Sequence, residues 1–217
     1  MRPRVVAVTG NMGAGKSSLV AWLEHQLGMV PFFEPNDENP YLADFYGDME
    51  RWALSSQLFF LIKRFRIHKE IEAEAASGAK ARDIVQDRTI YEDAEVFATH
   101  LHQAGHLTGR DWAMYQDLYQ TLRGEIRPPD LMIYLRCPVK VLTQRIKKRG
   151  RAFEQALPRA YLASLHELYE RWFEAYRDAE TIVIETDRVD YIEHLFDRHE
   201  LLQEIRRRLG PAQTPPR

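Results

Sequence analysis

Residues Gly10–Ser17 read "GNMGAGKS". This matches G-x-x-x-x-G-K-[S/T] at every fixed position, and its context fits. A short apolar run, "RVVAVTG" (Arg4–Gly10), leads into it, and a helical pattern follows. Glycines let the backbone turn so that successive N–H groups point inward, and the positive end of the next helix adds to them. The candidate phosphate cradle is therefore Gly10, Asn11, Met12, Gly13, Ala14 and Gly15, closed by Lys16, Ser17 and Ser18. In such loops the lysine bridges the β and γ phosphates and the hydroxyl after it holds Mg²⁺, here Lys16 and Ser17. A nucleoside triphosphate user, of ATP or GTP, is implied; the phosphate acceptor is not.

Outward from the loop, four more apolar runs read as strands: Met29–Glu34, Ala81–Asp87, Leu131–Arg136 and Thr181–Thr186. Near-continuous apolar strands are the pattern of a parallel sheet buried on both faces. Helical patterns separate them, over Asp48–Ala76, Tyr91–Gln103, Gly109–Leu122, Pro138–Lys148, Pro158–Ala179 and Asp190–Leu209. On the longest, Leu58, Ile62 and Phe65 form one apolar stripe. Strand–helix alternation predicts an α/β fold with right-handed crossovers. A single unit over residues 1–209 is expected, with "GPAQTPPR" as a frayed tail.

The 217 residues carry 30 Lys+Arg against 32 Asp+Glu, a net charge of −2, which argues against a general nucleic-acid binder. The one cysteine, Cys137, cannot form an internal disulfide. The longest apolar run, "LFFLI" (Leu58–Ile62), is too short to span a bilayer, and no signal peptide is evident, so a cytoplasmic location away from membranes is expected. Against that balance, "RIKKRGRAFEQ" (Arg145–Gln155) concentrates Arg145, Lys147, Lys148, Arg149 and Arg151. Such a run could grip nucleic acid, decorate a helix C-terminus, face solvent, or close over a small polyanion.

Five segments in order, "GNMGAGKSSL", "FFEPNDENPYLADFY", "ERWALSSQLFFLIKRFR", "DRTIYEDAEVFA" and "RIKKRGRAFEQ", together resemble the deoxyribonucleoside kinase family, within it the bacterial deoxyadenosine/deoxyguanosine kinases. The resemblance implies a P-loop kinase fold with a five-stranded parallel sheet wrapped by helices, ATP and Mg²⁺ as cofactors, transfer to a deoxynucleoside 5′-hydroxyl, and a homodimer.

The resemblance also implies roles for individual residues. Glu34, at the carboxyl edge of the second strand, matches the general base that takes the hydroxyl proton. In "DRT", Arg88 would pair with Glu34 and touch the transferring phosphoryl, and Asp87 would face Mg²⁺ through water. The basic run matches a lid, about 145–155, whose Arg145, Arg149 and Arg151 reach the triphosphate with planar guanidinium donors. Glu154 and Tyr46 match the pair that holds the 3′-hydroxyl, with Tyr46 crowding C2′ so that deoxyribose is preferred. Gln57 and Arg64 are seven apart on one helix face and match the base-reading residues, with Asp93 pairing the arginine and Phe97 stacking on the base.

Taken singly, each has an ordinary reading: a strand-end carboxylate, a surface ion pair, a solvated glutamine, a core aromatic. Joint placement favours the site. A deoxycytidine kinase is the nearest alternative, since the same Gln–Arg–Asp trio serves those enzymes. A nucleoside monophosphate kinase is a further one, but Glu34 would repel its phosphate acceptor. A GTPase-type N-K-x-D motif is absent from the sequence.

Overall fold

The computed structural model of the chain describes residues 2–34, 38–76, 82–151, 154, 157–187 and 195–210. Ala81 of the expected third strand, Ala152, Phe153 and Gln155 of the lid, the expected start of the last helix at Asp190, and the tail beyond Gly210 lie outside them.

Five strands, β1 (Val5–Thr9), β2 (Val30–Phe32), β3 (Ile84–Asp87), β4 (Leu131–Arg136) and β5 (Glu180–Glu185), form one sheet in the order β2-β3-β1-β4-β5. Every pairing is parallel, with Val6 opposite Val85 on one side and Leu131 on the other. The expected P-loop kinase architecture is therefore present. Strand alternation builds two cores. Val6, Val8, Leu131, Ile133 and Leu135 pack with Leu19, Val20 and Leu23 of helix α1 (Lys16–Leu27) and with Leu201 and Ile205. Ala7, Met132 and Tyr134 face the opposite way, into a larger aromatic-rich core.

That second core is roofed by α3 (Met49–Ala76), α6 (Gly109–Gly124) and α8 (Arg159–Ala175), with the short α2 (Leu42–Gly47) ahead of α3. The expected helix over Tyr91–Gln103 is tripartite: α4 (Ile90–Glu92), a π-helical stretch (Asp93–Ala98) and α5 (Thr99–Gln103). The helix expected to reach Ala179 stops at Ala175, because Tyr176 turns extended and leads into β5. Helices α7 (Val139–Arg149) and α9 (Leu195–Leu209) complete the layers. Among the described residues no helix is long and apolar enough to cross a membrane.

The apolar stripe expected on α3 is met in part, since Leu58 and Phe65 pack against the second core and Ile62 does not. The helix's buried stripe is Ala53, Gln57, Leu61, Arg64, His68 and Ile71, whereas Ile62 of the expected apolar stripe is 43% exposed, and Leu58 and Phe65 are only half-buried. Of the polar groups this face buries, Arg64 is compensated by Glu34 beyond β2 and by Asp93.

Candidate active site

With this strand order, the carboxyl ends of β2, β3 and β1 lie side by side, and the loops that leave them carry the chemistry. After β1, the phosphate loop runs through Gly10 (φ 143°), Gly13 (φ 79°) and Gly15 (φ 104°), the last capping α1. A Cβ on Gly10 would sit 2.7 Å from the Leu135 carbonyl oxygen, so close approach to β4 adds to the demand for glycine. Asn11 fixes the loop from within: its Oδ1 accepts from the Met12 N–H at 2.8 Å, and its Nδ2 donates to the Leu162 carbonyl of α8 at 3.1 Å. Lys16 Nζ donates to the Asn11 carbonyl at 3.2 Å. Burial, then the positive Arg88, lowers its pKa to about 8. Within the loop Ala14 is buried, and Ser18 lies in the first turn of α1.

Ser17 Oγ donates to Asp87 Oδ2 at 2.5 Å, joining the phosphate loop to the end of β3. Asp87 Oδ1 is buried without a hydrogen-bond partner among the described residues, and burial raises the carboxyl's pKa. Hard oxygens meeting beside a lysine fit the donor set for Mg²⁺, which takes one or two protein ligands and keeps its waters.

Four charged side chains alternate along the edge. Asp93 Oδ2 accepts from Arg64 Nε at 3.1 Å, and Arg64 Nη2 donates to Glu34 Oε1 at 2.6 Å. Arg88 Nε lies 3.0 Å from the same oxygen. Arg64 is 1% exposed and also donates to the Asp87 carbonyl at 3.2 Å. Burial raises the Asp93 pKa to about 6 against the pull of Arg64. Such a row is stable only because each charge is compensated; stripping one partner from a buried pair commonly costs about 3–5 kcal/mol. Arg88 has a left-handed backbone (φ 68°), the sole non-glycine with positive φ among the described residues, and its N–H donates to the Val8 carbonyl at 2.9 Å.

Gln57 is buried two turns before Arg64 on the same α3 stripe. Phe97 lies beneath Arg88, with the guanidinium carbon 4.6 Å from the ring centre. Tyr46 donates to Met12 Sδ at 3.6 Å; burial, Tyr161 and Glu154 raise its pKa, so these groups share an enclosure with Arg88 and Glu34. Beyond α7, Arg149 grips the buried Glu154 with both nitrogens, Nη2 to Oε1 at 2.6 Å and Nε to Oε2 at 3.2 Å. Arg151 Nη1 is 3.7 Å from Glu154 Oε1. Lys147 and Lys148 are exposed, and α7 ends at left-handed Gly150. Arg145 is engaged elsewhere. Its Nη1 donates to the Ala14 carbonyl at 3.3 Å and Thr186 Oγ1 at 3.1 Å, and its Nη2 to the Thr186 carbonyl at 2.7 Å. It ties the phosphate loop to the exit of β5.

A phosphate loop beside an ionised strand edge is shared by many kinases; the whole-chain pattern is specific. The deoxynucleoside kinase family pattern matches residues 6–209. The chain belongs to that family. This deoxynucleoside kinase is 34% identical over 190 residues to the Bacillus subtilis protein named deoxyadenosine/deoxycytidine kinase, covering 87% of this chain and 85% of the relative. It is 33% identical over 213 residues to a Lactobacillus acidophilus deoxyguanosine kinase, covering 93% and 89%. Among solved structures, deoxyadenosine kinase from M. mycoides with bound dATP superposes with a TM-score of 0.79 at 27% identity, covering 93% and 98%.

Three side chains in this kinase site escaped the sequence reading. Glu92 is fully buried; its Oε1 accepts from the Thr89 N–H at 3.1 Å, and burial raises its pKa to about 8. Its only signal was adjacency to Asp93. Tyr161 and Tyr169 sit on α8 at ordinary core spacing, next to leucines. Nothing in that pattern separates a site tyrosine from a packed one.

Proposed function

We propose that this kinase moves the γ-phosphoryl of ATP to the 5′-hydroxyl of deoxyadenosine or deoxyguanosine, yielding the 5′-monophosphate and ADP. The observation that carries the reading is the unbroken row Asp93–Arg64–Glu34–Arg88, which joins a base-reading end to a proton-accepting end. Gln57 and Arg64 read the base edge, Asp93 holds Arg64 in place, and Phe97 packs against the base. Tyr46 and Glu154 hold the 3′-hydroxyl, and Tyr46 disfavours ribose. Glu34 takes the 5′-hydroxyl proton as the new O–P bond forms and the bond to the ADP oxygen breaks. Lys16, Arg88, Arg149 and Arg151 stabilise the phosphoryl oxygens, and the phosphate-loop N–H groups hold the leaving phosphates. Ser17 directly, and Asp87 through water, would hold Mg²⁺, which would supply charge neutralisation for the triphosphate.

Deoxycytidine is the second reading: a relative's name includes it, and the Gln57–Arg64–Asp93 trio suits it equally. We take residues 1–209 as one catalytic unit with a lid at about 145–155, acting in cytoplasmic nucleoside salvage as a homodimer. Buried, unpaired Cys137 is consistent with a reducing compartment.

The test is kcat/KM for the four deoxynucleosides, in wild type and Glu34→Gln. A purine should rank first and thymidine poorly. Glu34→Gln should bind deoxynucleoside but turn over about 10²–10⁴-fold more slowly. Thymidine as best substrate, or turnover of Glu34→Gln within about threefold of wild type, would overturn the reading.

A further inference from the structure

Arg88 is held in an uncommon way. Its left-handed backbone is a conformation that bulky side chains rarely adopt and that persists only where the surroundings over-determine it. Three contacts surround the guanidinium. Nε faces Glu34 Oε1 at 3.0 Å, one face lies on the Phe97 ring, and Nη1 donates to the Tyr169 hydroxyl at 3.1 Å. Nε makes no hydrogen bond among the described residues, so its contact with Glu34 is an ion pair and the Tyr169 hydroxyl is the hydrogen-bond anchor of the group. Tyr169 is fully buried on α8, edge-on to Phe97 with centres 6.2 Å apart and stacked with Tyr134 at 6.0 Å. Its ring is thus fixed by packing, and its oxygen is fixed with it.

A guanidinium is rigid and planar. Held by the hydrogen bond at Nη1, by the ion pair with Glu34 and by the ring behind it, its plane is set, and with it the direction of Nη2. We propose that Tyr169 is a positioning residue that orients Arg88, so that Nη2 points at the transferring phosphoryl while Nε stays on Glu34. This rests on the reading of Arg88 given above. The arrangement also spans elements. The α8 helix that carries Tyr169 accepts the Asn11 side chain at Leu162, so one rigid helix registers Arg88 against the phosphate loop.

The alternative is that Tyr169 is simply a packed aromatic whose hydroxyl happens to be satisfied. Tyr169→Phe separates the two, because it keeps the ring and removes only the acceptor. Steady-state kinetics and Tm should be measured for wild type, Tyr169→Phe, Arg88→Lys and the double variant. The expected result is a kcat lowered roughly tenfold in Tyr169→Phe, as misplacement of a reacting group commonly costs that much or more. Both KM values should stay within about twofold and Tm should not move. In the Arg88→Lys background the same change should have little further effect, because the coupled partner is gone. Wild-type kcat in Tyr169→Phe, with Arg88→Lys impaired, overturns the positioning role alone. A joint fall in kcat, affinity and Tm also overturns it, in favour of packing. Wild-type turnover in Arg88→Lys removes the role of Arg88 and the proposal with it.

Discussion

Lys16 carries its charge at a cost when no nucleotide is present, because burial and Arg88 both oppose it. A triphosphate placed against it reverses the balance, so binding should draw a proton onto Lys16. The free group titrates near pH 8, and the bound group higher. Affinity for ATP should therefore be full below that pH and weaken by about tenfold between pH 7 and pH 9. Calorimetry in buffers of different ionisation enthalpy should show proton uptake at pH 8 that disappears in Lys16→Gln; buffer-independent enthalpies in wild type would refute this. His68, one turn beyond Arg64 and buried, behaves oppositely. Burial and the Arg64 charge lower its pKa to about 4. The unfolded chain takes up that proton near pH 6.5, so its contribution to stability is intact above pH 6.5 and is lost as pH falls toward 4, by about 3 kcal/mol. Unfolding free energies at pH 7 and pH 4 should differ by that much less in His68→Gln than in wild type. Identical pH dependence would rule the account out. Arg64 and Asp93 were legible as a pair because both occur in family-like segments, but their reach to Glu34 was not. A link across α3, the segment leaving β2 and the π-helical stretch is set by packing, which residue spacing along one element does not encode.

At the level of elements, the phosphate loop combines two demands on Gly13: a left-handed backbone and a tight approach to α7. A Cβ there would lie 3.0 Å from Ile146 Cγ1 and 3.2 Å from the Leu142 carbonyl. Gly105 has a similar φ of 81° with nothing within 4 Å, which makes it the control. Gly105→Ala should cost only the backbone strain, about 1–2 kcal/mol. Gly13→Ala should lose more stability than that and most of its ATP affinity; equal losses in the two variants would sink the close-approach argument. The strands were readable because each is short, apolar and bounded, and β4 is found at its expected limits. The inward face of α3 was legible at Gln57 and Arg64 through the family-like segment, but not from its apolar periodicity. Amphipathic reasoning assigns apolar residues to the inside, yet here Gln57, Arg64 and His68 are buried, and Arg64 is held there by Glu34, Asp93 and the Asp87 carbonyl. The π-helical turn at Asp93–Ala98 left no mark either, since the sequence there is a good helix pattern and the extra residue per turn is a tertiary accommodation.

Over the whole molecule, α3 leaves Ile62 on the outside at 43% exposure, with Met114 of α6 at 50%. A homodimer that covers these helices would give that apolar surface a purpose. Sedimentation at micromolar concentration should give twice the chain mass for wild type and a monomer for Ile62→Glu. A monomeric wild type would exclude the assembly.

The strand order also bears on how the chain is made. β1 is the centre of the sheet, yet its neighbours come much later: β3 begins at Ile84 and β4 at Leu131. On a ribosome adding about 5–20 residues per second, β1 would wait roughly 6–25 s for β4 to be synthesised. Through that interval its apolar face and its unpaired backbone are open to any passing strand. The strand that the finished enzyme protects best is the one the nascent chain protects least, so synthesis rate and chaperone supply, more than final stability, should govern how much active kinase a cell recovers.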